Sequence, residues 1–323
     1  MDLLNSYNLQ VLTFIVLNLI LAISIYVTLS TGQLSLGHAG FMAMGAYGTA
    51  ILTEQAGLPL FLAVIIAALG TGAISLLIGL PTLRLNGLYL AIATLGFGEV
   101  VRVIFLNLEI TNGALGITGL HSIGSRVYDI LKGFGIKSST LGMNVLEVKA
   151  LATLVVLLLL FLAVLFFILR LNRSRVGRAF SAIKADETAA MAMGINITYY
   201  KMLAFVIGSV LAGMCGGLFA HITTAITPDD FNYHRVVEIL SFAVIGGSEV
   251  VIGPLFGATL LTALPEVLRV LSEYKMMFYG GLMVLVMAFR PHGLITAETF
   301  ARFKRKKKQA TGTLDDTNAR EGM

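Results

Sequence analysis

The sequence predicts an all-α polytopic transmembrane helical bundle with about nine spans and broken or re-entrant segments, and composition carries most of that prediction. The chain is 57% hydrophobic and 13% charged over 323 residues, whereas a soluble domain carries about 25% charged residues. Its mean hydropathy is +0.86. Apolar runs at 8–30, 39–53, 60–81, 88–108, 150–169, 201–221, 236–247, 251–271 and 276–289 cover more than half the chain, leaving little for a soluble catalytic domain. The runs are continuous, not the alternating strands of about ten residues expected of an outer-membrane barrel.

The first run follows Met1-Asp-Leu-Leu-Asn-Ser-Tyr7. That stretch lacks the positive n-region of a cleavable signal, so the first span is expected to stay in the mature protein. Orientation follows from Lys and Arg beside the spans, because basic residues are retained on the cytoplasmic side. Segment 170–201 holds Arg170, Arg173, Arg175, Arg178, Lys184 and Lys201, and the tail from Arg290 to Lys308 is also basic. Five runs precede the first anchor and four separate the two. The expectation is nine crossings, with the N-terminus and 109–149 external, and the Arg84 turn, 171–200 and the 296–323 tail cytoplasmic. Residues 1–295 then form a single transmembrane domain. Runs 39–53 and 236–247 are short, since fifteen helical residues reach about 22 Å against a hydrocarbon core about 30 Å thick.

In chain order, the first irregular stretch is 32–48, Gly-Gln-Leu-Ser-Leu-Gly-His-Ala-Gly-Phe-Met-Ala-Met-Gly-Ala-Tyr-Gly. Each glycine gives up about 0.8–1.0 kcal/mol of helix propensity relative to alanine. Irregular backbone at membrane depth survives where it is buried in protein or lines a cavity. Gln33, Ser35 and His38 are therefore candidates for a translocation path; the alternative is close helix packing with His38 satisfied by a carbonyl. Glu99 and Arg102, spaced i, i+3, share one face of the fourth run. They form either a gating pair or a mutually neutralised tie, and the tie is preferred. Run 150–169 has twenty uncharged residues, sixteen of them Leu, Val, Ile or Phe, and reads as a lipid-facing peripheral helix. Glu238 opens a short run and joins the path candidates. Glu266 and Arg269 repeat the i, i+3 spacing nearer a membrane end. Gly213-Met-Cys-Gly-Gly217 and Gly253-Pro-Leu-Phe-Gly257 fit the Gly-x-x-x-Gly helix-contact pattern.

Catalytic constellations are absent: the sequence has no Gly-x-x-x-x-Gly-Lys-[Ser/Thr] phosphate loop, no His-Glu-x-x-His motif and no Gly-x-Ser-x-Gly elbow. Cys215 is the single cysteine, which excludes a disulfide framework and a cysteine-rich metal site within the chain. Neither a metal centre nor a cofactor is expected. Any energy source lies in an ion gradient or a partner.

Between the fifth and sixth runs, alanines and long side chains favour a helix over 178–194, bracketed by Gly177 and Gly194 and supported by a Lys184–Glu187 pair. Ala182, Ala189, Ala190 and Met193 leave a small, shallow face suited to another protein's groove.

That segment carries a resemblance. Ala189-Ala190-x-x-x-Gly194 is similar to the cytoplasmic coupling motif of bacterial ABC import permeases, with Thr188 directly before Ala189 and the acid one residue earlier at Glu187. Gly32-Gln33-Leu34-Ser35-Leu36-Gly37-His38-Ala39, Ile245-Gly246-Gly247 with Gly253-Pro254 and Gly257-Ala258, Arg290-Pro291-His292-Gly293-Leu294, Arg178-Ala179 and Asp186-Glu187 together resemble the permease family of branched-chain amino acid (LIV-type) ABC importers. Asn86-Gly87-Leu88-Tyr89-Leu90 and Gly116-Ile117-Thr118-Gly119-Leu120 are closer to its M-type than its H-type subunit. The resemblance covers roughly residues 10–295. It implies a non-enzymatic subunit of the bacterial inner membrane. The implied partners are a sister permease, two cytoplasmic ATPases and a periplasmic substrate-binding protein. Arg178, Asp186, Glu187, Ala189, Ala190 and Gly194 are the implied ATPase-coupling residues. Permeases for urea and short amides share the type, and an ion-coupled secondary transporter is the rival from a different class.

Overall fold

The computed structural model describes residues 6–85, 87–133, 144–267, 275–289 and 293–295. Asn86, Arg269, the Arg290-Pro291-His292 stretch and the basic tail lie outside the described residues, as does the side chain of Glu266.

Each of the nine apolar runs has most of its described residues in a helix. These are α1 (Ser6–Leu29), α2 (His38–Glu54), α3 (Leu60–Thr82), α4 (Leu88–Asn107), α6 (Val145–Arg173), α9 (Ile197–Thr223), α10 (Tyr233–Gly246), α11 (Ile252–Val267) and α12 (Lys275–Phe289). Five of them, α1, α3, α4, α6 and α9, are long and apolar enough to cross a membrane. At 17, 14, 16 and 15 residues, α2, α10, α11 and α12 are shorter.

The segment expected to be external folds into structure of its own. It holds two 3-10 turns (Glu109–Thr111 and Gly113–Leu115), strand β1 (Ile117–Thr118) and helix α5 (Ile123–Gly133), which packs on α6. Strand β1 pairs antiparallel with β2 (Ala225–Ile226), Ile117 opposite Ile226, and so fastens this segment to the end of α9. The segment expected to be cytoplasmic forms two helices, α7 (Arg175–Ala185) and α8 (Glu187–Ala192).

Polar caps start α7, α9 and α10. Ser174 Oγ accepts from the amides of Val176 and Gly177, and Asn196 and Asn232 Oδ1 accept from Tyr199 and His234. Each satisfies an N–H that has no partner inside the helix.

Helix α2 sits at the centre, with twelve of its seventeen residues buried. It packs on α9, α3 and α4, while α9 also packs on α1 and α3. The same contacts recur between the halves: α1 packs on α10 and α11, α10 on α11, and α10 on α12. The backbones of α2 and α9 come close enough that a Cβ on Gly45 would fall on the Gly213 carbonyl, and one on Gly216 on the Met42 carbonyl. Helix α6 buries a stripe, Leu157, Phe161, Val164 and Ile168, and exposes Leu158, Leu159, Leu162, Phe166 and Phe167. The buried stripe follows the 3.6-residue period and packs on α1; the rest suits lipid.

Candidate functional site

Three polar places interrupt the apolar bundle. The first is the break between α1 and α2. Residues 33–37 are outside any helix, and Gly32 has φ +77°, which turns the chain out of α1. Gln33, Ser35 and His38 are all buried, at 2%, 0% and 2% exposure. The side chain of Gln33 and both ring nitrogens of His38 close no hydrogen bond of good geometry, although the ring lies beside the carbonyls of Ser24 and Ser35. Buried polar groups are normally satisfied, so Gln33 and His38 stand out from the rest of the buried bundle. Thr94 of α4 holds the break in place, its Oγ1 accepting from the Leu36 amide at 2.9 Å.

The second place is charged and lies at the start of α10. Glu238 is buried and takes a hydrogen bond from Arg235 Nη1 at 2.8 Å. Arg235 Nη2 donates to Asn18 of α1 at 3.1 Å, and Asn18 Nδ2 donates to Thr262 of α11 at 3.0 Å. One polar chain thus ties three helices. Sequence reasoning found Glu238 but missed Arg235, Asn18 and Thr262. The i, i+3 spacing of Arg235 and Glu238 was the available signal.

Glu99 and Arg102 do pair, at 2.9 Å from Arg102 Nε, and Arg102 also reaches Asp229 at 3.0 Å. Asp229 belongs to the 3-10 turn Pro228–Phe231, so the arginine links α4 to that turn rather than to a second helix. Glu99 is half exposed, with 50% of its side chain accessible.

The third place is the α7–α8 segment, and here three expectations need correction. The helix expected over 178–194 breaks at Asp186, whose carboxylate accepts from the amides of Thr188 and Ala189 and so starts α8. Ala190, expected on the docking face, is 3% exposed and points into the protein. Lys184 and Glu187 do not pair: Lys184 Nζ donates to the Ser248 carbonyl at 2.8 Å, and Glu187 pairs with Lys201 at 2.6 Å. Partial burial pushes the Lys184 ammonium below its ordinary pKa. Besides Glu187 and Thr188, α8 exposes Ala189, Met191 and Ala192, and Met193 follows directly after it, the two methionines at 62% and 83%. Arg178 is exposed on α7 and donates to the Arg173 carbonyl.

Gly194 has the role its position suggests. Its φ is +79°, and it donates to the Met191 carbonyl while Ile195 donates to Ala190. This is the glycine-terminated helix end in which the left-handed residue lets two last carbonyls find donors.

Among the described residues no group of three or more His, Cys, Asp or Glu side chains is placed to hold a metal ion.

Comparison with known proteins places the chain in a family. The model for the permease component of branched-chain amino acid transport systems matches residues 7–287. The chain is 37% identical over 320 residues to LivM, the high-affinity branched-chain amino acid transport system permease protein, of Salmonella typhimurium and of Escherichia coli, covering 95% of this chain and 73% of each relative. It is 30% identical over 144 residues to LivH of Escherichia coli, covering 44% of this chain and 46% of LivH. It is 27% identical over 265 residues to the D-allose transport system permease protein AlsC of Escherichia coli, covering 79% of this chain and 74% of AlsC. No solved structure matches the chain. With a match along nearly its whole length, the chain belongs to the permease-component family of the branched-chain amino acid transport systems.

Proposed function

We propose that the chain is the M-type permease subunit of a bacterial inner-membrane ABC importer and carries branched-chain amino acids. In that assembly it pairs with a sister permease, docks two cytoplasmic ATPases and receives its cargo from a periplasmic binding protein. The partner ATPases hydrolyse ATP, and this chain converts their motion into alternating access. The observation that carries the reading is 37% identity to LivM along 95% of the chain, against 44% coverage for LivH.

In the proposed orientation the chain crosses nine times with the N-terminus outside. The α7–α8 segment is then cytoplasmic, and the β1–β2 pair, α5 and the Pro228–Phe231 turn are external. The α1–α2 break, with Gln33, Ser35 and His38, lines the path near its inner end. Glu238 lies toward the outer end with Glu99 and Arg102 nearby. The exposed Ala189, Met191 and Met193 of α8 meet the ATPase. Asp186, Glu187 and Gly194 hold α8 in shape, Arg178 flanks it, and Ala190 anchors it from within.

The test is ATPase retention on the detergent-solubilised importer carrying Ala189→Arg, a substitution at an exposed position. A cationic side chain forced into the docking groove without a partner is comparable to a broken interfacial charge pair, which costs about 2–5 kcal/mol. Retention of the ATPases should then fall more than about tenfold, together with transport. Unchanged retention and transport would remove α8 as the coupling element.

A further inference from the structure

A cavity of about 220 Å³ opens between the Pro228–Phe231 turn and α10, lined by Phe219, Asp230, Asn232, His234, Arg235 and Glu238. It is smaller than the ~300 Å³ at which pockets for drug-sized ligands begin, and its scale suits a molecule the size of one amino acid. The Arg235–Glu238 pair forms part of its wall. A buried ion pair is a weak source of stability, because desolvation offsets much of the attraction. Ionisable groups at membrane depth more often mark the route of a substrate.

The chemistry of the lining is that of a zwitterion's complement. A guanidinium has five N–H donors, and Arg235 spends one on Glu238 and one on Asn18. Its Nε–H is buried with no acceptor, so a second carboxylate can be received without displacing Glu238. Asp230 takes both hydrogen bonds from Thr227 on Oδ2, which leaves Oδ1 for a cation. The Phe219 ring, 5.8 Å from the Arg235 guanidinium, supplies an apolar surface beside both charges.

We infer that this cavity is the external receiving site of the permease for a zwitterionic aliphatic amino acid. The substrate carboxylate binds Arg235, its ammonium binds Asp230, and its side chain rests on Phe219. The inference rests on the proposed branched-chain substrate and adds where the permease first holds it.

The experiment uses the reconstituted importer with its partners and a diazirine-bearing leucine analogue as the probe. Photolysis should label the 219–238 segment, and an excess of unlabelled leucine should suppress that label. The discriminating variant is the double substitution Arg235→Gln with Glu238→Gln, which removes both charges and leaves neither buried alone. A pair with only a structural role would tolerate it, since a glutamine at 235 can still donate to Asn18. A receiving site would lose the label and more than tenfold in transport rate. Asp230→Asn keeps an oxygen for the Thr227 bonds and removes the charge, and it should lower labelling severalfold. Transport within twofold of wild type in the double variant overturns the site. A wild-type importer that transports leucine but is labelled only outside 219–238 also overturns the site and leaves the substrate reading standing. If wild type neither transports nor is labelled, both fail.

Discussion

Where α2 meets α9, backbone touches backbone: Gly45 faces the Gly213 carbonyl with no room for a single added carbon, and Gly216 faces the Met42 carbonyl in the same way. At the corresponding contact of the other half, where α10 meets α1, the helices are joined by side chains, Arg235 of α10 donating to Asn18 of α1. The neighbours of each contact correspond as well, α3 and α4 on one side, α11 and α12 on the other. Two similar arrangements are thus held by different forces. The first depends on shape, and the break beside it is neutral, with Gln33, Ser35 and His38 buried. The second depends on charge, and the turn beside it carries Asp229 and Asp230. In the proposed orientation the neutral break faces the cytoplasm and the charged one faces outward. A zwitterion arriving from outside therefore meets charges first and uncharged polar groups last. Such a gradient favours capture at one end and release at the other.

The largest effect that tests this contrast is the loss of one charge alone. Arg235→Ala takes away the guanidinium that Glu238, with a side chain 9% exposed, pairs with, and breaking a buried pair in this way costs about 3–5 kcal/mol. The solubilised complex should show a markedly lower thermal midpoint or fail to assemble. Most of that stability should return in the Arg235→Gln, Glu238→Gln double variant, because no charge is left without a partner. If Arg235→Ala melts like wild type, charge does not hold the second contact, and the difference between the halves collapses.

Which parts of this contrast were legible in the sequence follows from the range of the forces involved. Glycine density at 32–48 announces irregular backbone, but only 32–37 lie outside the helices; 38–48 belong to α2, where Gly40 and Gly45 let it close on Gly98 and Gly213. Gly194 sits at the end of an alanine-rich stretch, and its left-handed backbone is again a local matter. The described parts of the nine apolar runs are largely helical, because hydropathy needs no partner to be read. The Arg235–Asn18 bond joins positions 217 residues apart, so Asn18 looked like an isolated polar residue in an apolar run. Lys184 could reach Glu187 along one continuous helix, but Asp186 ends α7, and Lys201 of α9 takes the carboxylate instead. Ala190 belongs to a small-residue pattern that reads the same facing inward or outward. Its burial is decided by how α8 lies against the rest of the protein.

A smaller effect tests the shape-dependent contact. Gly45→Ala adds one carbon where the neighbour is backbone, which cannot rotate away, so α2 and α9 must separate. Overpacking of this kind typically costs about 1–3 kcal/mol. Gly70→Ala in α3, where nothing lies within 4 Å of the added carbon, is the control and should be neutral or slightly stabilising. The thermal midpoint of the solubilised complex should fall for the first and hold for the second. Equal behaviour of the two variants would mean that the backbone contact between α2 and α9 is not what holds this half.

The smallest expected effect concerns the neutral break itself. Thr94 is fully buried, and its Oγ1 accepts from the Leu36 amide at 2.9 Å while donating to the Leu90 carbonyl at 2.9 Å. Thr94→Val keeps the shape nearly unchanged and removes both roles. The Leu90 carbonyl keeps its helical donor, so only the Leu36 amide loses a partner. A net hydrogen bond is worth about 1 kcal/mol, and the thermal midpoint should fall slightly. Exchange of the Leu36 amide is the sharper readout, since the lost acceptor acts at that atom, and it should quicken while amides inside α2 and α9 keep their protection. If charge alone oriented the breaks, Thr94→Val would leave Leu36 exchange as in wild type, and the neutral break would need another support. If exchange quickens at Leu36 and transport slows with it, a single threonine from α4 is what holds Gln33 and His38 in place for the proposed path.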